Sequence, residues 1–79
     1  MGYVYILGLA NGQYYVGSTD NIERRIIQHQ SGRVISTKGK LPLEVLCVKQ
    51  YSSLIQARQT EYKIKKMKSK KFIEQFMGD

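Results

Sequence analysis

A carboxylate, a guanidinium, an imidazole and two phenols stand in this sequence where their spacing would let them act together. Glu61 falls on the series Leu54, Ala57, Glu61, Ile64, spaced 3, 4 and 3 residues apart, the period of one helical face. A charge on an apolar stripe is costly without a partner, and a metal ion is one such partner. The plainer alternative is a boundary Glu that reaches water or pairs with Lys65 four residues on. Arg25 and His29, also four apart, are neighbours on a helix beside Ile22 and Ile26. Taken singly, His29 reads as a partly buried polar residue and Arg25 as one of many surface cations. Tyr5 and Tyr15 lie on strand-like segments and can face the same side. What raises each above its plainer reading is the company of the others, since the two phenols, the guanidinium, the imidazole and the carboxylate would converge if the helices cover the same sheet edge.

The elements that must position them can be read from local signals. Tyr3 to Leu7 is aromatic and β-branched, and Tyr14, Tyr15 and Val16 resume that character after a tight Asn11-Gly12 turn, which predicts a hairpin. Thr19 or Asp20 as N-cap, Glu23 in the first turn and Gly32 at the end bracket a helix over about Asn21 to Ser31. Arg33 to Leu41 has no periodicity and reads as a mobile basic loop. After Pro42, Leu43 to Tyr51 reads as a third strand. Ser53 and Gln56 form a capping box for a helix that continues to about Met67, and a short last helix is predicted over Ser69 to Phe76. The order β-β-α-β-α-α predicts an α+β fold, a small three-stranded antiparallel sheet flanked by helices, with residues 1–79 as a single domain.

Composition narrows the partner. Thirteen Lys and Arg against six Asp and Glu give a net charge of +7, which favours polyanions, although a basic surface can also serve solubility alone. A single cysteine, Cys47, excludes an internal disulfide and fits a reducing, cytoplasmic compartment; its apolar neighbours assign it a packing role. No apolar run approaches the roughly 20 residues of a membrane span, so no membrane partner is expected.

The motifs then converge. Tyr3-Val4-Tyr5, followed by Tyr15-Val16-Gly17-Ser18, resembles the paired signature of the GIY-YIG nuclease family, and Arg25, His29 and Glu61 match in order the family's helix Arg, the His or Tyr one turn beyond, and the metal-binding Glu of a later helix. The likeness runs from Tyr3 to about Lys71 and is closest to the minimal stand-alone bacterial members. Tyr3 replaces the signature's first Gly, and no Asn follows Glu61, where larger members use one.

The resemblance implies a metal-dependent endonuclease of low sequence specificity, acting on DNA ahead of RNA, with a role in DNA repair or recombination and with a protein partner for targeting. Glu61 would hold Mg²⁺ or Mn²⁺, Arg25 would clamp the phosphate, and Tyr5, with Tyr15 as second candidate, would serve as base or orient the attacking water, with His29 the alternative proton acceptor. A free phenol's pKa is about 10, so Tyr5 needs depression by neighbouring cations or a relay through His29. Gly17 and Ser18, together with Lys65, Lys38 and Lys40, are expected to contact substrate, Gly17 by letting backbone approach the phosphate. Arg33 and the cluster from Lys63 to Lys71 would track the phosphate backbone. The rival reading is a non-catalytic nucleic-acid-binding or interaction module on the same fold.

Overall fold

A computed structural model describes residues 1–78. The chain runs β1 (Gly2–Gly8), β2 (Tyr14–Thr19), α1 (Ile22–Gln30), α2 (Ile35–Lys38), β3 (Glu44–Tyr51), α3 (Leu54–Met67) and α4 (Lys70–Gly78). The sheet is antiparallel in the order β2-β1-β3, so the first strand is central and the tyrosine-bearing second strand is an edge. The architecture is the expected α+β one, with one further short helix.

Alternation along β1 explains how one strand serves two layers. Val4 and Ile6 point to one face, where they meet Val16, Ala57 and Ile64 with Phe72, Ile73 and Phe76 packed around them. Tyr5, Leu7 and Leu9 point to the other, against Tyr15, Ile22, Ile26 and Leu43. Thus α3 and α4 cover one face and α1 the other, and Tyr5 is buried as deeply as its aliphatic neighbours. At Gly2, a Cβ would collide with the Ser53 carbonyl and the Leu54 Cα, at 2.5 and 2.6 Å. Glycine there lets α3 start directly against the central strand.

Several local expectations hold with shifted boundaries. Asn11 and Gly12 lie at the hairpin end, with Gly12 at φ +86°, but the connection spans residues 9–13 and is closed by Gly12 N–H to Leu9 O and Leu9 N–H to Gln13 O, both 2.9 Å. The N-cap of α1 is Asn21, not Thr19 or Asp20. Its side chain accepts from Arg24 N–H at 3.0 Å, while Thr19 stays in β2 and its hydroxyl accepts from Asn21 N–H at 3.1 Å. Ser53 caps α3 by accepting from Gln56 N–H, but Gln56 turns its side chain to Ser52, so the box is not reciprocal.

The larger correction is the segment after α1. Arg33 to Leu41 is not a structureless loop: it contains α2, and Val34 and Thr37 are buried. A four-residue helix has too few turns to show a period, and what holds this one is tertiary contact at Val34 and Thr37. β3 is an edge strand whose Val45, Leu46 and Val48 are partly exposed, and the register slips past Leu46 between the Ile6 and Leu7 pairings. Cys47 packs against the α3 side of the core, as expected of it.

Candidate active site

Each member of the candidate set is placed by its element. Tyr5 and Tyr15 lie on neighbouring strands with the same facing, ring centroids 6.3 Å apart. Ile22 and Ile26 seat α1 on that face, and the same orientation turns Arg25 and His29 inward. His29 is fully buried and stands edge-on to both phenols, with centroids at 5.5 Å from Tyr5 and 5.0 Å from Tyr15.

Hydrogen bonds give this cluster a direction. Arg25 Nε–H donates to Tyr5 Oη at 3.3 Å, Tyr5 Oη lies 2.8 Å from His29 Nε2, and His29 Nδ1 lies 3.0 Å from Thr37 Oγ1. The Thr37 hydroxyl donates to the Val34 carbonyl at 3.4 Å. With that proton spent, Thr37 accepts from His29 Nδ1–H, which leaves the Nε2 lone pair facing the Tyr5 hydroxyl. The buried imidazole is fully satisfied, and its tautomer follows from Thr37.

Electrostatics fit the same arrangement. Burial, with the Arg25 charge as a second cause, lowers the His29 pKa to about 4, so the ring is neutral at physiological pH. Burial raises the Tyr5 phenol above its ordinary value, and the opposing hydrogen bond from Arg25 does not overcome it. At Tyr5 burial thus outweighs the neighbouring guanidinium, and the hydroxyl stands 2.8 Å from His29 Nε2. Arg25 is raised further, chiefly by its bond to Tyr5, and remains a guanidinium.

Glu61 approaches from the opposite face of the sheet, around the edge of β2. It belongs to the α3 layer with Ala57 and Ile64, and Ser18, which faces that layer from β2, donates its hydroxyl to Glu61 Oε1. Lys65 Nζ lies 2.5 Å from Oε2 and 5.8 Å from the centroid of the Tyr15 ring, so it links the carboxylate to the phenol side. The ion pair with Lys65 is present, and the carboxylate also has a second partner in Ser18. Its negative charge is felt at Tyr5, where it opposes ionisation.

Gly17 shows how phenol and carboxylate come near across a strand. It pairs directly with Tyr5, and a Cβ there would run into the Tyr5 ring and hydroxyl. The phenol lies across the bare backbone of the edge strand, and the next residue, Ser18, holds Glu61. The space a side chain at Gly17 would take is thus filled by the Tyr5 phenol of the protein itself.

Among the described residues no group of three or more His, Cys, Asp or Glu could hold a metal ion. Glu61 is the single carboxylate at the site, and its oxygens keep lone pairs beyond those facing Ser18 and Lys65. That donor set suits a hard ion bound through one carboxylate and completed by water and phosphate oxygens, and does not suit a zinc-type cage.

Some residues were invisible to sequence reasoning. Thr37 carried no signal, because its partner is reached only through the fold. Arg58 had one: Arg58, Glu61, Lys65 and Lys68 recur at 3, 4 and 3, a second stripe beside the apolar one. Arg58 lines a groove with Ser18, Arg24, Arg25 and Gln28 on one side of the site. Lys38 and Lys40 belong to the α2 segment, and no hydrogen bond or ion pair among the described residues joins their side chains to the five.

The sequence model of the GIY-YIG catalytic domain family matches residues 1–74. The chain belongs to the GIY-YIG family. Similar proteins include a UPF0213 protein of Oceanobacillus iheyensis, 41% identical over 66 residues that make up 82% of this chain and 77% of that one. Another UPF0213 protein, from Natronomonas pharaonis, is 36% identical over 82% of this chain and 78% of its own length. The solution NMR structure of the UPF0213 protein BH0048 from Bacillus halodurans superposes with a TM-score of 0.64 at 34% identity, covering 99% of this chain and 84% of that one. GIY-YIG domains are generally endonucleases, and membership implies a nucleic-acid partner. No helix among the described residues is long and apolar enough to cross a membrane.

Proposed function

We propose that this GIY-YIG domain is an endonuclease that hydrolyses DNA phosphodiester bonds with little sequence preference, in DNA repair or recombination. The observation that carries the reading is the directed chain Arg25, Tyr5, His29, Thr37, set beside a carboxylate that reaches around the strand edge. A core built only for stability does not require a buried neutral histidine aimed at a phenol that also meets a guanidinium.

In this reading Arg25 receives the scissile phosphate, its planar fork matching two phosphate oxygens. Tyr5 Oη takes the proton of the attacking water as its own proton passes to His29 Nε2, so no free phenolate forms in the buried site. A phosphate on Arg25 offsets the guanidinium charge, and with it the second cause that holds His29 neutral. Tyr15 stacks beside Tyr5 and closes that side of the cluster. Glu61 would hold a Mg²⁺ or Mn²⁺ ion, with Ser18 orienting the carboxylate; when bound, the metal neutralises charge on the leaving oxygen. Lys65, Lys38 and Lys40 add positive charge for the backbone of the nucleic acid. A protein partner would direct the domain to its substrate.

Glu61→Ala and Arg25→Ala test the reading separately, by nicking of supercoiled plasmid in Mg²⁺ or Mn²⁺ and by retention of the same DNA in a gel shift. Both variants are expected to lose cutting while keeping most binding. An unmutated protein that binds several DNA and RNA forms and cuts none of them would replace the nuclease with the non-catalytic binding module.

A further inference from the structure

Resting on the nuclease reading, we propose that the groove between the hairpin end and the α3–α4 turn is a second binding subsite, which holds a single-stranded flank of the DNA beside the scissile phosphate. The groove has a volume of about 490 Å³ and is lined by Tyr14, Tyr15, Lys65, Lys68, Ser69 and Lys70 among others. Volumes of ~300–1,000 Å³ are typical of clefts for small ligands, which suits a nucleotide unit and is far too narrow for a duplex. The groove lies on the α3–α4 side of the sheet, where Val16, Ile64 and Ile73 also line it, and meets the phenol side at the edge of β2 through Tyr15, with Lys65 between Glu61 and the Tyr15 ring.

Its chemistry is that of a single-strand track. Lys68 and Lys70 supply charge for successive phosphates, Lys65 is shared with Glu61, and the half-buried Tyr14 and Tyr15 line the groove beside them. Lys70 Nζ stands 5.3 Å from the Tyr14 ring centroid, and the Tyr14 hydroxyl is tied to Glu74 Oε2 at 3.0 Å, so the ring is held in place. A separate groove is lined by Ser18, Arg24, Arg25 and Arg58, with Asp20 paired to Arg24 at 3.1 Å.

Lys68 makes the independent point. It ends α3 at φ 49°, ψ 38°, the left-handed conformation in which glycine is the relaxed choice, and it is the one non-glycine residue with positive φ among those described. Lys68 thus keeps a charged side chain on the groove lining at a left-handed position that glycine would fill with less strain.

The test is anisotropy of a fluorescein-labelled oligothymidylate without divalent metal, titrated at several salt concentrations against the full chain, Lys68→Gly, Lys68→Arg and Lys63→Ala. One lost phosphate contact lowers the salt slope by about 0.7, which corresponds to about fivefold weaker binding at 0.1 M salt. Lys68→Gly is expected to show that loss while melting at the same temperature or higher, because the backbone relaxes. Lys68→Arg should keep the slope, and Lys63→Ala, which removes a charge from the same lysine cluster but outside the groove lining, should lose clearly less. An unchanged slope for Lys68→Gly, an equal loss for Lys63→Ala, or tighter binding of a duplex with the same Lys68 dependence would overturn the proposal. Because the readout is binding, a protein that never cuts DNA defeats the nuclease reading without touching this result, and normal nicking with a wild-type slope in Lys68→Gly defeats the subsite alone.

Discussion

Gly17→Ala puts one methyl group where the Tyr5 phenol now lies. The added Cβ would overlap Tyr5 Oη and Cζ and sit 3.0 Å from Cε1, against carbon–carbon contacts of roughly 3.5–4.0 Å at rest, so the ring must move by about an ångström. It has nowhere easy to go: Tyr5 is 1% exposed, and its hydroxyl is held by Arg25 at 3.3 Å and His29 at 2.8 Å. The backbone at Gly17 is in an ordinary strand conformation, so the whole effect is one of space. Overpacking of this kind costs about 1–3 kcal/mol, which in a domain of this size lowers the melting temperature by roughly 5–20 °C. A misplacement of about 1 Å in a reacting group costs on the order of 100-fold in rate. Calorimetry and single-turnover cleavage of a labelled strand, performed well below the variant's melting temperature, separate the two effects. A Gly17→Ala protein that melts and cuts like the unmutated one would show that the phenol is free to move and would refute the packing argument.

Thr37→Val keeps the shape of α2 but removes the acceptor for His29 Nδ1–H; it should cut at least tenfold more slowly and shift the pH–rate profile, with Thr37→Ser restoring most of both. Nitrogen NMR of the single histidine, His29, should report the Nδ1–H form in the unmutated protein and a mixture in Thr37→Val. His29 is neutral in the fold with a pKa of about 4 and titrates near 6.5 when unfolded, so the unfolded state binds more protons between those values. Stability is then complete above pH 6.5 and falls by about 2–3 kcal/mol on acidification to pH 4.5, as denaturant midpoints would show. A flat profile over that interval would remove burial as the cause.

What the sequence could reveal follows the range of the forces involved. The strands, α1 and α3 were legible because period and caps are local, and Tyr5, Tyr15, Arg25 and His29 followed from the faces those periods define. Glu61 stood out as a charge on an apolar stripe, but its route around β2 was not readable, since it depends on β2 being an edge and on Ser18 facing α3. Thr37 and α2 were lost for the opposite reason: nothing in the period of the sequence marks a four-residue helix that is held by burying Val34 and by setting Thr37 against the His29 ring of the preceding helix. Gly17 was singled out for close backbone approach to a phosphate, and the Tyr5 ring that fills the space beside it was not readable, because that neighbour lies across the strands.

Tyr5→Phe addresses the centre of the account most directly, since it removes one oxygen and leaves the ring between Gly17, Tyr15 and His29. With protein in excess over a labelled DNA strand in Mg²⁺, the loss of that hydroxyl should slow cleavage by at least about 1,000-fold while strand affinity changes by less than about threefold. Cleavage within a few-fold of the unmutated rate would mean that the water loses its proton elsewhere, and that the chain from Arg25 to Thr37 serves packing alone.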